Sequence, residues 1–146
     1  ILFGNGGSAA DAQHIAAELV GRYKMKRKSI PAISFTTDTS ILTSMSNDYS
    51  FNKTFSRQCE GLVNQGDIVI AISTSGNSMN VVNGVISARK KGAKIIGLLG
   101  KKGGNLKKMV DIPLVVDSCS TPRIQEVHRV IYHTICELVE KEFVNK

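Results

Sequence analysis

Short apolar, β-branched runs alternate along this chain with longer amphipathic stretches. The runs at 1–3, 32–35, 68–72, 94–99 and 112–116 predict five strands. Apolar residues at helical spacing predict helices over 8–22, 53–64, 78–91 and 123–143, with a weaker helical stretch over 38–45. The strands read as continuous apolar runs, the pattern of strands buried on both faces in a parallel sheet covered by helices. Alternation of strand and helix points the same way. The predicted fold class is α/β, a three-layer, doubly wound parallel sheet of flavodoxin-like type. No repeat, low-complexity tract or linker interrupts the pattern; Gly103-Gly104 and the prolines Pro31, Pro113 and Pro122 punctuate elements only. One domain over 1–146 is expected. The opening Ile1-Leu2-Phe3 reads as the middle of a strand without an initiator Met, so a preceding segment is expected to be missing.

In open sheets of this class, ligands bind beyond the C-terminal strand ends. Two predicted strands end in unusual loops there. Gly4-Asn5-Gly6-Gly7-Ser8 leaves the first strand and enters a helix, with Ser8 placed as an N-cap. The loop also satisfies a short dinucleotide pattern, Gly4-x-Gly6-x-x-Ala9, but the acidic residue that pattern needs has only Asp38 as a late candidate. Ser73-Thr74-Ser75-Gly76-Asn77-Ser78 follows the third strand and brings four hydroxyls and a glycine to a helix N-terminus. Such a nest surrounds a phosphate with neutral donors. Lacking a G-K-[ST] triplet, it is no Walker A loop. Two such loops on one sheet favour a phosphorylated small molecule over two ordinary turns.

Composition narrows the classes. With 42% hydrophobic and 21% charged residues the chain is built to fold, not to remain disordered. Its longest apolar runs, such as 68–72, are far too short for a bilayer span. A net charge of +7 gathers at 24–28, 89–94 and 101–108, yet aromatic residues are only 5%, Trp is absent, and no basic cluster carries interleaved aromatics. Base stacking has no platform, so a solvated surface, or a field that attracts an anionic metabolite, is preferred to a nucleic-acid partner. Three widely spaced cysteines (Cys59, Cys119, Cys136) form neither a disulfide framework nor a C-x-x-C zinc site, and a reduced, cytoplasmic setting is expected.

The helices carry polar stripes. On the first, Ala9, Ala12, Ile15, Ala16 and Leu19 are the expected packing face, and Asp11, His14 and Glu18 fall on another stripe. His14 and Glu18 are an i, i+4 pair, suited to a divalent metal, to acid–base work or to a simple surface ion pair. On the last helix, Ile124, Val127, Ile131, Ile135, Leu138 and Val139 are the expected core stripe. Off it lie Gln125, His128 and His133; His128 is expected at the surface or an interface. Gln125 and His133 are about 12 Å apart along the helix axis, an awkward span for one shared ligand unless different subunits contribute.

G-N-G-G-S (Gly4 to Ser8), H-x-x-x-E-L (His14 to Leu19), Asn47-Asp48, S-T-S-G-N-S (Ser73 to Ser78) and R-I-Q-E-V-H (Arg123 to His128) occur in that order. Together they closely resemble the sugar isomerase (SIS) domain family, and within it the sedoheptulose 7-phosphate isomerases, over essentially the whole chain. The resemblance implies an aldose–ketose isomerase that converts sedoheptulose 7-phosphate into D-glycero-D-manno-heptose 7-phosphate through an enediol, early in the synthesis of nucleotide-activated heptose for lipopolysaccharide or capsule. It implies Glu18 and His133 as the catalytic pair, and His14, Glu18, Gln125 and His133 as ligands of one zinc ion per subunit. Substrate contacts are implied at Asn5, Gly6, Gly7, Ser8, Glu18, Asn47, Asp48 and Gln125, with Ser73, Thr74, Ser75 and Ser78 on the phosphate. A homotetramer with sites at subunit contacts is implied, as is an N-terminal helical segment before the first strand. Pro122 stands where many members carry an acidic residue, which removes one expected sugar-hydroxyl contact. The alternative within the family is a non-catalytic scaffold that binds the replication initiator DnaA. That branch lacks acid–base groups at the positions of Glu18 and His133, and both are present here.

Overall fold

The structure, a computed structural model, describes residues 1–144. Its sheet has four parallel strands in the order β1 (Leu2–Gly4), β2 (Ile68–Ser73), β3 (Lys94–Gly100) and β4 (Ile112–Val116). Successive side chains of a strand point to opposite faces, and here both faces are dry. Val69, Ala71, Ile95 and Leu99 pack on one side, against α3 (Thr54–Leu62) and α4 (Met79–Lys90). Ile70, Ile72 and Leu98 pack on the other, against α1 (Gly7–Val20) and α5 (Thr121–Val144). Phe3 stacks on Phe35 and Phe55 at 6.3 and 5.0 Å between centroids, contacts that contribute roughly 0.5–1.5 kcal/mol each beyond burial. A further helix, α2 (Thr39–Asp48), is capped by Asp38, whose carboxylate accepts the Ile41 N–H at 2.9 Å. Asp38 is thereby occupied, and the dinucleotide reading loses its one acidic candidate.

The strand expected over 32–35 is not formed. Ser34 alone makes a parallel bridge to Leu2, through Leu2 N–H to the Ile33 carbonyl and Phe35 N–H to the Leu2 carbonyl, each 2.9 Å. Pro31 has no N–H to donate, and β1 offers only three residues to pair with, so the ladder stops at one rung. The bridge still fixes topology. The chain leaves β1 outward to Ser34, then returns to β2 on the other side of β1. That reversal opens a crevice between the C-terminal ends of β1 and β2, where loops 4–8 and 73–78 stand.

The expected core stripe of α5 is corrected too. Its buried residues are Ile124, His128, Tyr132, Cys136 and Glu140, while Val127 and Leu138 are 42% and 57% exposed. The helix packs by its i, i+4 ridge, and that ridge contains three polar side chains with partners that offset their desolvation. His128, expected at the surface, is fully buried, and its Nε2–H donates to the Leu99 carbonyl at 2.9 Å. Glu140 accepts the backbone N–H groups of Tyr23, Lys24 and Met25 at 2.8, 2.7 and 2.9 Å, and pairs with Arg27 Nε at 3.1 Å. Arg27 in turn donates to the Glu18 and Leu19 carbonyls at 2.8 and 2.9 Å, two of the groups a helix C-terminus leaves unsatisfied. Burial pushes the Glu140 carboxyl up, but these donors outweigh it and hold it below the usual carboxylate range.

Candidate active site between helices α1 and α5

Loop 4–8 enters α1 through Gly6, at φ 56°, in the cap position; Ser8 lies within the first turn, buried, and is not the cap. Gly7 lets the Gln125 amide of α5 lie against the loop, where a Cβ at position 7 would push that amide aside. Asn5 exchanges two amide hydrogen bonds with Asn80 of α4, at 2.9 and 2.8 Å, tying this loop to the one after β2. In loop 73–78, Ser73 Oγ lies 3.2 Å from Ser78 Oγ and accepts the Gly76 N–H at 3.2 Å, and Ser75 Oγ accepts the Asn77 N–H at 3.1 Å. Gly76 turns at φ +68°, with the Gly103 carbonyl where a Cβ would stand. Ser78 holds the cap position of α4 but makes no cap hydrogen bond, and the Val81 N–H donates to Asn80 Oδ1 at 3.0 Å. Among the described residues this leaves the Met79 and Asn80 N–H groups to meet an anion beside four hydroxyls. Asn47 and Asp48 end α2 at the surface, bonded to each other at 2.9 Å; among the described residues they bond to neither loop.

α1 and α5 lie side by side and bring together groups more than a hundred residues apart. His14 Nε2 is 2.9 Å from Glu18 Oε1. His133 joins them, and one ligand atom from each of the three residues lies within 4.8 Å of the others. The His133 ring meets the rings of His14, Tyr132 and Tyr23 at 5.1, 4.8 and 5.6 Å between centroids. An ion with bonds of about 2.1 Å needs tetrahedral donors about 3.4 Å apart. Two imidazoles and a carboxylate at this spacing meet that need with small side-chain rotations, so the donor set fits a divalent metal. Cys136 is buried nearby, and burial pushes its thiol up to about 11. Burial also raises the Tyr132 phenol above its ordinary value.

A cavity of about 590 Å³ runs along this seam, lined by Gly7, Asp11, Pro122, Gln125, Arg129 and His133 among others. Gln125 and His133 share it but stand at opposite ends, two helical turns apart. Pro122 lines its wall. No residue of loop 73–78 lines this cavity. A larger hollow of about 900 Å³ lies at the N-terminal ends of the strands, among Ile1, Ile15, Leu19, Ile30 and Ile68, and is mostly apolar, with Asp67 in its lining. Three polar residues of the seam were not singled out from sequence: Tyr132, Arg129 and, as a buried group, Asp11. The available signal was Asp11 one turn ahead of His14, and a tyrosine directly before His133 on the i, i+4 ridge.

Comparison with known proteins agrees with this architecture. A family model described as the SIS domain matches residues 1–100. The phosphoheptose isomerase of Sulfurimonas denitrificans is 61% identical over 142 residues, spanning 97% of this chain and 73% of its own. Among solved structures, phosphoheptose isomerase GmhA from Neisseria gonorrhoeae superposes with a TM-score of 0.90 at 43% identity, over 96% of this chain and 74% of that one. A phosphoheptose isomerase from Francisella tularensis gives 0.92 at 37% identity, over 96% and 75%. On the strength of that identity, fold and coverage, this chain belongs to the SIS-domain family and, within it, to the phosphoheptose isomerases.

Proposed function

We propose that this chain isomerises sedoheptulose 7-phosphate to D-glycero-D-manno-heptose 7-phosphate, as a step of heptose biosynthesis. The observation that carries the reading is the meeting of Glu18, His14 and His133 on two helices in a chain that also holds a hydroxyl-lined anion nest. The scaffold alternative finds no support in the relatives named above, all of them isomerases.

In this mechanism loop 73–78 receives the phosphate through Ser73, Thr74, Ser75, Ser78 and the Met79 and Asn80 N–H groups at the start of α4. Asn5, Gly6, Gly7, Ser8, Asn47, Asp48 and Gln125 face the sugar. The Glu18 carboxylate takes a proton from C1, giving a cis-enediol, and returns it to C2; the His133 imidazole moves the second proton between O2 and O1. His14, Glu18 and His133 would hold a zinc ion, with Gln125 reaching toward it from the far end of the cavity; when bound, the ion supplies Lewis acidity at the carbonyl oxygen.

Ser8 and Glu18 are ten residues apart on α1, about 15 Å along its axis, and loop 73–78 does not border the cavity that holds His133. A substrate spanning both groups is best served where two copies meet, so we infer a homotetramer with sites at subunit contacts. The cysteines are free and two are buried, which suits a reducing cytoplasm. Incubation with sedoheptulose 7-phosphate should yield an aldoheptose 7-phosphate, lost on chelation and restored by zinc. An active protein that never binds metal would remove the zinc, and an inactive one that binds metal and sugar phosphate would remove the isomerase reading.

A further inference from the structure

Asp11 and Tyr132 are polar residues of the α1–α5 seam that the reaction above does not use. Both are buried, at 2% and 0% exposure. The Tyr132 hydroxyl touches three groups: Arg129 Nε at 3.1 Å, His14 Nδ1 at 3.2 Å and Asp11 Oδ1 at 3.3 Å. Arg129 Nη2 also reaches Asp11 Oδ1, at 3.4 Å.

A phenol has one proton and two acceptor sites. Arg129 only donates, so it occupies one acceptor site. A carboxylate only accepts, so Asp11 takes the phenol proton. The remaining acceptor site faces His14 Nδ1, which must therefore carry hydrogen. Nε2 is the atom aimed at Glu18, 2.9 Å from Oε1, and into the three-donor cluster. With no ion between them it donates to that carboxylate, and an ion shared by the two would displace this hydrogen to solvent and take the Nε2 lone pair while Nδ1 keeps its own. The reverse assignment, with Tyr132 donating to His14, sets a buried carboxylate oxygen against a phenol lone pair at 3.3 Å, with Arg129 as its one remaining side-chain partner.

We propose that Asp11 and Tyr132 are positioning residues that lock His14 in its Nδ1–H tautomer and so present Nε2 to a metal ion shared with Glu18 and His133. The inference rests on the metal reading above and extends it to the groups that orient the ligand. Tyr132→Phe keeps the ring packed on His133 and removes only the hydroxyl. Cobalt(II) titrations of the full chain, followed by visible absorption and calorimetry, should show affinity lowered about 10- to 100-fold in this variant. Its kcat should fall with it, while KM for sedoheptulose 7-phosphate changes less than about threefold, because no sugar or phosphate contact is lost. Asp11→Asn, which keeps the shape and one acceptor, should fall between the variant and the parent, and it tests the relay independently should Tyr132→Phe not fold. Parent-like cobalt affinity in the folded variants, beside a parent that binds cobalt and turns over, would overturn the relay alone. A parent that takes up no cobalt would overturn the relay together with the metal reading.

Discussion

Loop 73–78 and the α1–α5 seam both present polar groups to a ligand, but they are assembled in opposite ways. The loop draws all its donors from six consecutive residues and organises them through its own hydroxyls, with Ser73 bonded to Ser78 and to the Gly76 N–H. The seam draws His14 and Glu18 from one helix and His133 from another. Its order depends on contacts that span 113 to 121 residues of sequence, from Arg27–Glu140 to Asp11–Tyr132. A cradle for a fixed charge tolerates local construction, since backbone N–H groups and short side chains do not wander. An acid–base centre needs long side chains held to fractions of an ångström, and only packed elements supply that.

That contrast is testable by substitution. Glu18→Gln should abolish turnover, lowering kcat by about 10²–10⁴-fold while sugar-phosphate binding persists; a near-normal rate in steady-state assays would remove Glu18 as the base. Glu140→Gln strikes the clip that closes the end of α1. It leaves Arg27 buried without its charge partner and turns an amide N–H₂ toward two donors, either the Lys24 and Met25 N–H groups or the Tyr23 N–H and Arg27 Nε–H. A loss on the order of 3 kcal/mol in urea unfolding is expected. A variant as stable as the parent would show that the seam does not depend on its distant pairs. Ser75→Ala should do least to the chemistry: KM rises about tenfold, the worth of one hydrogen bond to a charged group, with kcat nearly unchanged. A fall in kcat instead of a rise in KM would mean that the loop, too, positions reacting atoms.

The same contrast decides what could be read from the sequence. Loop 73–78 was legible because its chemistry is contiguous, and β2 and β3 because two-sided burial leaves an unbroken apolar run. The strand at 32–35 was misread because its composition fits a strand while its partner β1 is too short to pair with it. Ser8 looked like a cap, but glycines at 6 and 7 let the helix begin two residues earlier. On α5 the apolar residues stand on more than one face, so periodicity selected Val127 and Leu138. The helix instead packs a ridge containing His128, Tyr132 and Glu140, because each meets a partner that only the tertiary fold supplies. Meeting a partner far along the chain leaves no local trace: Asp11 shows in the sequence as part of the polar stripe of α1 but nothing there marks its pairing with Tyr132, whereas the roles of His14, Glu18 and His133 come through the family resemblance.

His128 offers the finest test of that account, through stability alone. It lies between α5 and the end of β3, donates Nε2–H to Leu99, and leaves Nδ1 without a protein partner. Burial lowers its pKa below the ordinary imidazole value, with the Leu99 hydrogen bond and the Asp11 charge opposing only in part. The unfolded chain therefore binds a proton at a pH where the folded chain does not. Stability from this residue is fully present above about pH 6.5 and is lost as pH falls below it, with a slope of at most about 1.4 kcal/mol per pH unit. His128→Gln can still donate to Leu99 but has no proton to gain. Urea unfolding of both proteins from pH 8 down to pH 5 should give curves whose difference narrows on acidification, as the parent loses stability that the variant never had. Parallel curves would mean that His128 takes up its proton in the folded state without cost, and that the ridge of α5 is wetter than its contacts imply.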